Sequence, residues 1–453
     1  MAHWSEKAIF YHIYPLGCLG APQRNDFISK PVPRLAQIEQ WIPHLKQLHI
    51  NALYLGPLFE SSAHGYDTTD YYHVDWRLGN NDDLTRLVDV LHQNGIRVVL
   101  DGVFNHTGRD FFAFRDIQQH GAKSRYGDWF AGINFQQKSS YGDPFSYMGW
   151  NGNLDLAKLN LQNPQVSNYL LDVVDFWLRE FQIDGLRLDA ADCVGISFLQ
   201  QLYTHVKQLN PEFWLMGEII HGNYAQWVDA KALDSVTNYE CYKGLYSSHV
   251  DHNYFEIAYS LNRQFGENGI YRHFLPYSFA DNHDVNRLAS NLSNPEHVYP
   301  AYCLLFTMPG IPSIYYGSEW GIPGRKTASD DSELRLPITP DHFNEIMVNP
   351  HLADYIARLS QIRLDSPALQ HGNYRQMLVN HEHFAFTRES HEEKVLVVVN
   401  ASQTAQPLQL FVDDHASGKG IDLISGESLA MSNGSLFIPN LKPNSGMIIK
   451  LIP

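Results

Sequence analysis

Gly185-Leu186-Arg187-Leu188-Asp189 is a short apolar run that carries one arginine and closes on an acid. Phe213-Trp214-Leu215-Met216-Gly217-Glu218 and Tyr277-Ser278-Phe279-Ala280-Asp281-Asn282-His283-Asp284 repeat the pattern. Each reads as a buried strand with a carboxylate at its end. A charge there is costly to desolvate unless something pairs with it or uses it. Three such acids on successive strands predict one polar site at the open end of a barrel.

Working outward, further strand candidates are Ile9–Leu16, Ala52–Phe59, Arg97–Phe104, Ser235–Tyr242 and Ser313–Trp320. Helical patterns lie between them, such as Leu84-x-x-Leu87-Val88-x-x-Leu91 and Tyr169-Leu170-x-x-Val173-Val174-x-x-Trp177-Leu178. Eight such units predict an α/β protein of the (β/α)8 TIM barrel class. A doubly wound sheet is the rival, but no glycine-rich phosphate turn follows the first strand.

The 453 residues exceed the usual size of one hydrophobic core. The connection from Asn105 to about Asp155 is long and aperiodic, which marks an inserted functional segment. After Leu352–Leu364 the pattern changes to alternating strands, at His383–Arg388, Lys394–Asn400, Leu408–Val412 and Met447–Ile452. The expected organisation is a catalytic barrel from 1–104 and 156–366, an inserted B domain at 105–155, and a C-terminal antiparallel β-sandwich at 367–453.

A formal net charge of −16 opposes binding to nucleic acid or an anionic membrane, both of which need a basic face. The apolar stretch Ala301–Tyr316 is broken by Pro309, Gly310 and Pro312 and is too short to span a bilayer. The N-terminus shows no basic segment followed by an apolar one, so no signal peptide is expected. Cys18, Cys193, Cys241 and Cys303 form no CxxC pair. Structural zinc is not expected, and reduced thiols in the cytoplasm are the simplest reading. The residues leave the oligomeric state open.

Paired carboxylates at a barrel mouth are the equipment for breaking a glycosidic bond. Arg187 lies two residues before Asp189, so on a strand the two side chains share a face, and the arginine is expected to keep Asp189 ionised.

At these residues the chain resembles the α-amylase family of glycoside hydrolases. Asp101-Gly-Val-Phe-Asn-His106 is similar to the family's DVVxNH element, Gly185-Leu-Arg-Leu-Asp189 to GxRxD, Gly217-Glu218-Ile-Ile-His221 to the acid-bearing element, and Phe279-Ala-Asp-Asn-His-Asp284 to FxxNHD. Within the family it resembles the cyclomaltodextrinase, neopullulanase and maltogenic amylase group. Leu156-Ala-Lys-Leu-Asn160 is similar to that group's MPKLN element, and His64-Gly-Tyr-Asp-Thr-Thr-Asp-Tyr71 to its HKYDTxDY. The sequence departs from the group in starting almost at the first barrel strand, where the group has an N-terminal β-domain. It also has Cys193 where the group has Glu, and Ile220 where it has Trp.

The resemblance implies Asp189 as nucleophile, Glu218 as acid/base and Asp284 as stabiliser of the oxocarbenium-like charge. It implies a substrate-binding shell of Tyr66, His106, Arg187, His283 and the pair Asp331 and Arg335. The substrate implied is an α-glucan oligosaccharide, a short maltodextrin or cyclodextrin, cleaved by double displacement. Transglycosylation is the open alternative, and α-1,4 against α-1,6 bonds is open as well. An inactive sugar-binding barrel is the rival from another class. No cofactor is required; Asn105 is a candidate calcium ligand, since many α-amylases hold one there. Trp129, Phe130, Phe145, Tyr147 and Trp150 in the insertion are candidates for an aromatic wall facing Asp189 and Glu218.

Overall fold

A computed structural model describes residues 3–339, 343–412 and 418–452. Eight parallel strands form its centre: β1 (Phe10–Ile13), β2 (Ala52–Leu55), β3 (Arg97–Gly102), β4 (Gly185–Leu188), β5 (Trp214–Gly217), β6 (Ser235–Val236), β7 (Tyr277–Phe279) and β8 (Ile311–Tyr315). They pair in the order β6-β5-β4-β3-β2-β1-β8-β7. A parallel bridge between Thr237 and Tyr277 joins β6 to β7 and closes the ring.

The strands are buried on both faces, and alternation divides their side chains between two cores. Leu53, Leu55, Val98, Leu100, Leu186, Leu188 and Leu215 point outward to the helices. Phe10, Tyr54, Val99, Trp214, Met216 and Phe279 fill the interior. Arg187, between two outward leucines, therefore points into the barrel. Its register neighbours are Asp101 on β3 and Met216 on β5.

The surrounding helices start where their caps dictate. Asn80 and Asp83 bond each other's backbone amides at the start of Asn81–Gln93, and Leu84, Leu87, Val88 and Leu91 form its buried face. Asn163 caps Pro164–Phe181, with proline in the first turn. The expected strand Ser235–Tyr242 is cut short. Only Ser235 and Val236 are strand, because the Asn238 side chain accepts from Cys241 N and starts the helix Tyr239–Val250.

The segment after β3 builds a small sheet from His106–Gly108, Gly149–Trp150 and Asn153–Lys158, with the helix Phe112–His120 over it. Phe114 packs against Phe130, Phe145 and Tyr147 at centroid distances of 5.2, 5.7 and 4.8 Å. Trp129 packs on Phe112 and Tyr169. Four of the five expected wall rings are thus core of the insertion. A segment this small has little else with which to bury surface. Trp150 is the exception, its ring lying 5.7 Å from that of His106.

Beyond the barrel, eight strands form one antiparallel sheet: β9 (Asn373–Val379), β10 (His383–Glu389), β11 (Lys394–Asn400), β12 (Gln406–Phe411), β13 (Gly418–Asp422), β14 (Ser428–Ser432), β15 (Ser435–Leu441) and β16 (Ser445–Ile452). The order is β9-β10-β11-β16-β13-β14-β15-β12. Ala385, Leu396, Val398 and Ile449 pack into this sheet's own core with Leu410 and Leu436. Their neighbours Phe384, Phe386, Val395, Val397 and Ile448 join the barrel's core. Arg388, fully buried, donates to Thr307 O at 2.6 Å, and Arg363 donates to Phe306 O at 2.9 Å. Both satisfy carbonyls at the end of the helix Val298–Thr307.

Candidate active site

The open end of the barrel gathers the polar side chains around Arg187. Its Nη1 donates to Asp101 Oδ1 and to Asp189 Oδ1, both at 2.9 Å, and its Nη2 pairs with Glu218 Oε2 at 2.8 Å. Three carboxylates around one guanidinium carry an excess of negative charge. Asp101 is further held by Tyr54 at 2.7 Å and Tyr66 at 3.1 Å, whose hydroxyls donate to its Oδ2.

Glu218 Oε2 also accepts from the amide of Ala190 at 3.1 Å. Ala190 sits in the left-handed region at φ 44°, ψ 45°. A non-glycine residue there costs on the order of 1–3 kcal/mol, and the strain directs its amide to the carboxylate. The other oxygen, Oε1, meets the hydroxyl of Tyr239 at 3.3 Å.

Asp284 lies opposite, paired with His283 Nε2 at 3.0 Å and with Arg335 Nη2 at 3.3 Å. Arg335 also holds Asp331 at 2.8 Å. The Tyr66 hydroxyl hydrogen-bonds His283 Nε2, and the two rings lie parallel, 10° apart. His106 Nε2 sits 3.8 Å from Asp189 Oδ2 and is a buried nitrogen without a hydrogen-bond partner. All nine predicted site residues therefore belong to one connected cluster.

The electrostatics differ from the expectation at one point. Burial pushes the Asp189 carboxyl well above the usual range, and Glu218 and Asp101 reinforce it against the pull of Arg187. Titration there belongs to the coupled cluster. Asp284 goes the other way: burial opposes its charge, but His283, Arg335 and Arg187 hold it well below the usual range. Burial lowers His106 to about 3, so its ring is neutral.

Sequence reasoning did not place several members of the cluster. Asp101 closes an apolar run just as Asp189 does, so the signal was present. Tyr239 carried none, because it follows the strand on the first turn of a helix. His12, buried beneath the site and stacked on Tyr54 with centroids 4.2 Å apart, gave none either.

At the candidate calcium position, Asn105 Oδ1 is buried without a partner. Among the described residues, however, no three His, Cys, Asp or Glu side chains cluster to hold a metal ion. The positive charge of Lys158 acts on both His106 and Cys193.

A closed parallel barrel with acids at the ends of β3, β4, β5 and β7, three of them on one arginine, defines a glycoside hydrolase of the barrel type. Residues 33–349 match the model of the alpha amylase catalytic domain, and residues 374–448 match the maltogenic amylase C-terminal domain. The chain belongs to the α-amylase family of glycoside hydrolases. It is 32% identical to a cyclomaltodextrinase of Thermoanaerobacter pseudethanolicus, over 99% of this chain and 78% of that one. It is 31% identical to neopullulanase 2 of Thermoactinomyces vulgaris, over 98% of this chain and 78% of that one. Among solved structures, the cyclic alpha-maltosyl-(1→6)-maltose hydrolase of Arthrobacter globiformis superposes with a TM-score of 0.82 at 26% identity and full coverage of both chains.

Proposed function

We propose that this enzyme cleaves α-1,4-glucosidic bonds in short maltodextrins or cyclodextrins by double displacement with retention. The observation that carries the reading is the attachment of Asp189 and Glu218 to the two ends of the Arg187 guanidinium. That arrangement favours the close carboxyl spacing of retaining enzymes, about 5–5.5 Å, over the wider one of inverting enzymes.

In the first step Asp189, reacting as the carboxylate that Arg187 pairs with, attacks the anomeric carbon while the glycosidic C–O bond breaks. Glu218 gives its proton to the departing oxygen. In the second step water attacks the same carbon, Glu218 takes the water's proton, and the bond to Asp189 breaks. Oε2 of Glu218 already accepts from Arg187 and the Ala190 amide, so the proton in transit sits on Oε1, beside Tyr239. Asp284, held ionised, stabilises the positive charge that develops on the sugar. Tyr66 offers a ring to the sugar face. His106 Nε2 and the Asp331–Arg335 pair offer polar atoms to its hydroxyls. None of these steps is routed through a metal or cofactor.

Four free cysteines, three of them buried, support work in a reducing compartment, the cytoplasm. No helix among the described residues is long and apolar enough to cross a membrane. A second reading, transfer of the glycosyl group to a sugar hydroxyl, draws support from a groove that opens beside Ile220 and Tyr239.

Proton NMR of the first product from maltotriose tests the mechanism before mutarotation blurs it. The α-anomer is expected, and the β-anomer would overturn the double displacement. Product analysis on panose, pullulan and a cyclodextrin fixes the bond preference. Products longer than the substrate would favour transfer.

A further inference from the structure

A groove of about 960 Å³ runs between residues 220–224 and the two helices that follow β6. Its inner end is Ile220, two residues past Glu218, and Tyr239, whose hydroxyl meets Glu218 Oε1. From there it follows the helix Tyr239–Val250 to the next helix, Phe255–Phe265.

Rings line this path. Tyr239, Tyr242 and Tyr246 stand at i, i+3 and i+7, which puts them on one helix face. Their successive centroids are 6.0 and 5.1 Å apart. Seven residues of helix span about 10 Å, at 1.5 Å each. Across the groove Tyr259 is 69% exposed and Phe255 47%. The two helices approach closely because residue 244 is glycine: a Cβ there would lie 3.0 Å from Ile257 Cα. Two of its charged side chains pair, with Arg263 Nε donating to Glu240 Oε1 at 3.0 Å. Half-buried tyrosines and the exposed Tyr259, beside the paired Arg263 and Glu240, suit a neutral polyhydroxylated chain better than an anion or an apolar peptide.

We infer that this groove takes the leaving-group half of a linear α-1,4-glucan. The inference rests on the proposed function, in which the departing oxygen receives its proton from Glu218 Oε1. That oxygen faces Tyr239, so the sugars beyond the broken bond continue into the groove. They stack on Tyr246 and then on Tyr259. Long maltodextrins gain contacts there that short ones do not reach.

The test is a Tyr246→Ala/Tyr259→Ala double variant of the full chain, assayed on two substrates. Maltoheptaose places sugars on the leaving side; p-nitrophenyl α-maltoside, read by nitrophenol release, places none. The expected result is a roughly tenfold fall in kcat/KM for maltoheptaose, the worth of two stacking rings, with nitrophenol release within about twofold of the parent. An unchanged maltoheptaose rate, or equal falls on both substrates, would overturn the inference. Failure of the parent enzyme to cleave either substrate would instead overturn the hydrolase reading on which it rests.

Discussion

Arg187 donates to Asp189 Oδ1 at 2.9 Å from a position two residues earlier on the same strand, and both side chains point to the barrel's interior. The pairing follows from strand geometry, in which alternate residues share a face. The same guanidinium reaches Asp101 and Glu218. Arg187 is thus the common counter-charge of the cluster. Replacing it with leucine strands three buried carboxylates. A stability loss of about 3–5 kcal/mol is expected, the cost of breaking a buried pair. Denaturant unfolding at neutral pH reads it, and a variant as stable as the parent would contradict the network.

Asp189→Asn keeps the shape and removes the attacking charge. Turnover is expected to fall by roughly 10⁴-fold. Stability should move differently. A carboxyl whose folded pKa lies above its unfolded one gives most stability at low pH, and that stability is lost as pH rises through the folded value. At neutral pH the neutral amide removes this penalty. The melting temperature is therefore expected to equal or exceed the parent's, and a clear drop would show that the pull of Arg187 outweighs the burial of Asp189.

Glu218→Gln separates the two chemical steps. With natural maltodextrins, whose leaving groups need a proton, turnover should be abolished. A maltosyl fluoride needs little protonation and should still load Asp189, trapping a covalent intermediate visible by mass spectrometry. No intermediate with the fluoride would argue against Glu218 as the acid.

Buried imidazoles set the acid limit. Burial lowers His106 and His249 to about 3, and holds His12 well below the usual imidazole range. A base with a lowered folded pKa contributes stability above its unfolded value near 6.5. That stability is lost as pH falls toward the folded value. Each such ring removes about 1.4 kcal/mol per pH unit in that window. Unfolding free energy should therefore fall steeply from pH 6 to 4. His249→Gln, which removes a ring bonded to Leu245 O and Tyr254, should make that slope shallower by about one proton.

The insertion's aromatics divide into two groups by packing. Phe145, with no exposed surface, is core, and Phe145→Ala is expected to cost about 3–5 kcal/mol of stability. Trp150, against His106, should change KM for maltotriose on truncation to alanine while leaving the melting temperature nearly unchanged. The opposite pattern would place Trp150 in the fold and Phe145 at the site.

The sequence by itself determined the barrel, the C-terminal strands it ends in, and the three acids. Local signals carry these: apolar runs of strand length, helical spacing as at Leu84–Leu91, and a carboxylate where a buried strand ends. It also determined that Arg187 shares a face with Asp189, because alternation is local. Only the tertiary structure decided that one guanidinium serves Asp101, Asp189 and Glu218 together, since those residues are distant in sequence and meet through the register of β3, β4 and β5. For the same reason, pattern could not say that burial and two neighbouring acids oppose the pull of Arg187 on Asp189. The rings of the insertion were legible as aromatic but not as inward or outward, because an aperiodic segment has no face until it packs. The groove from Ile220 to Tyr259 is likewise a product of closure: it exists because the turn after a barrel strand, a helix start and a second helix lie side by side.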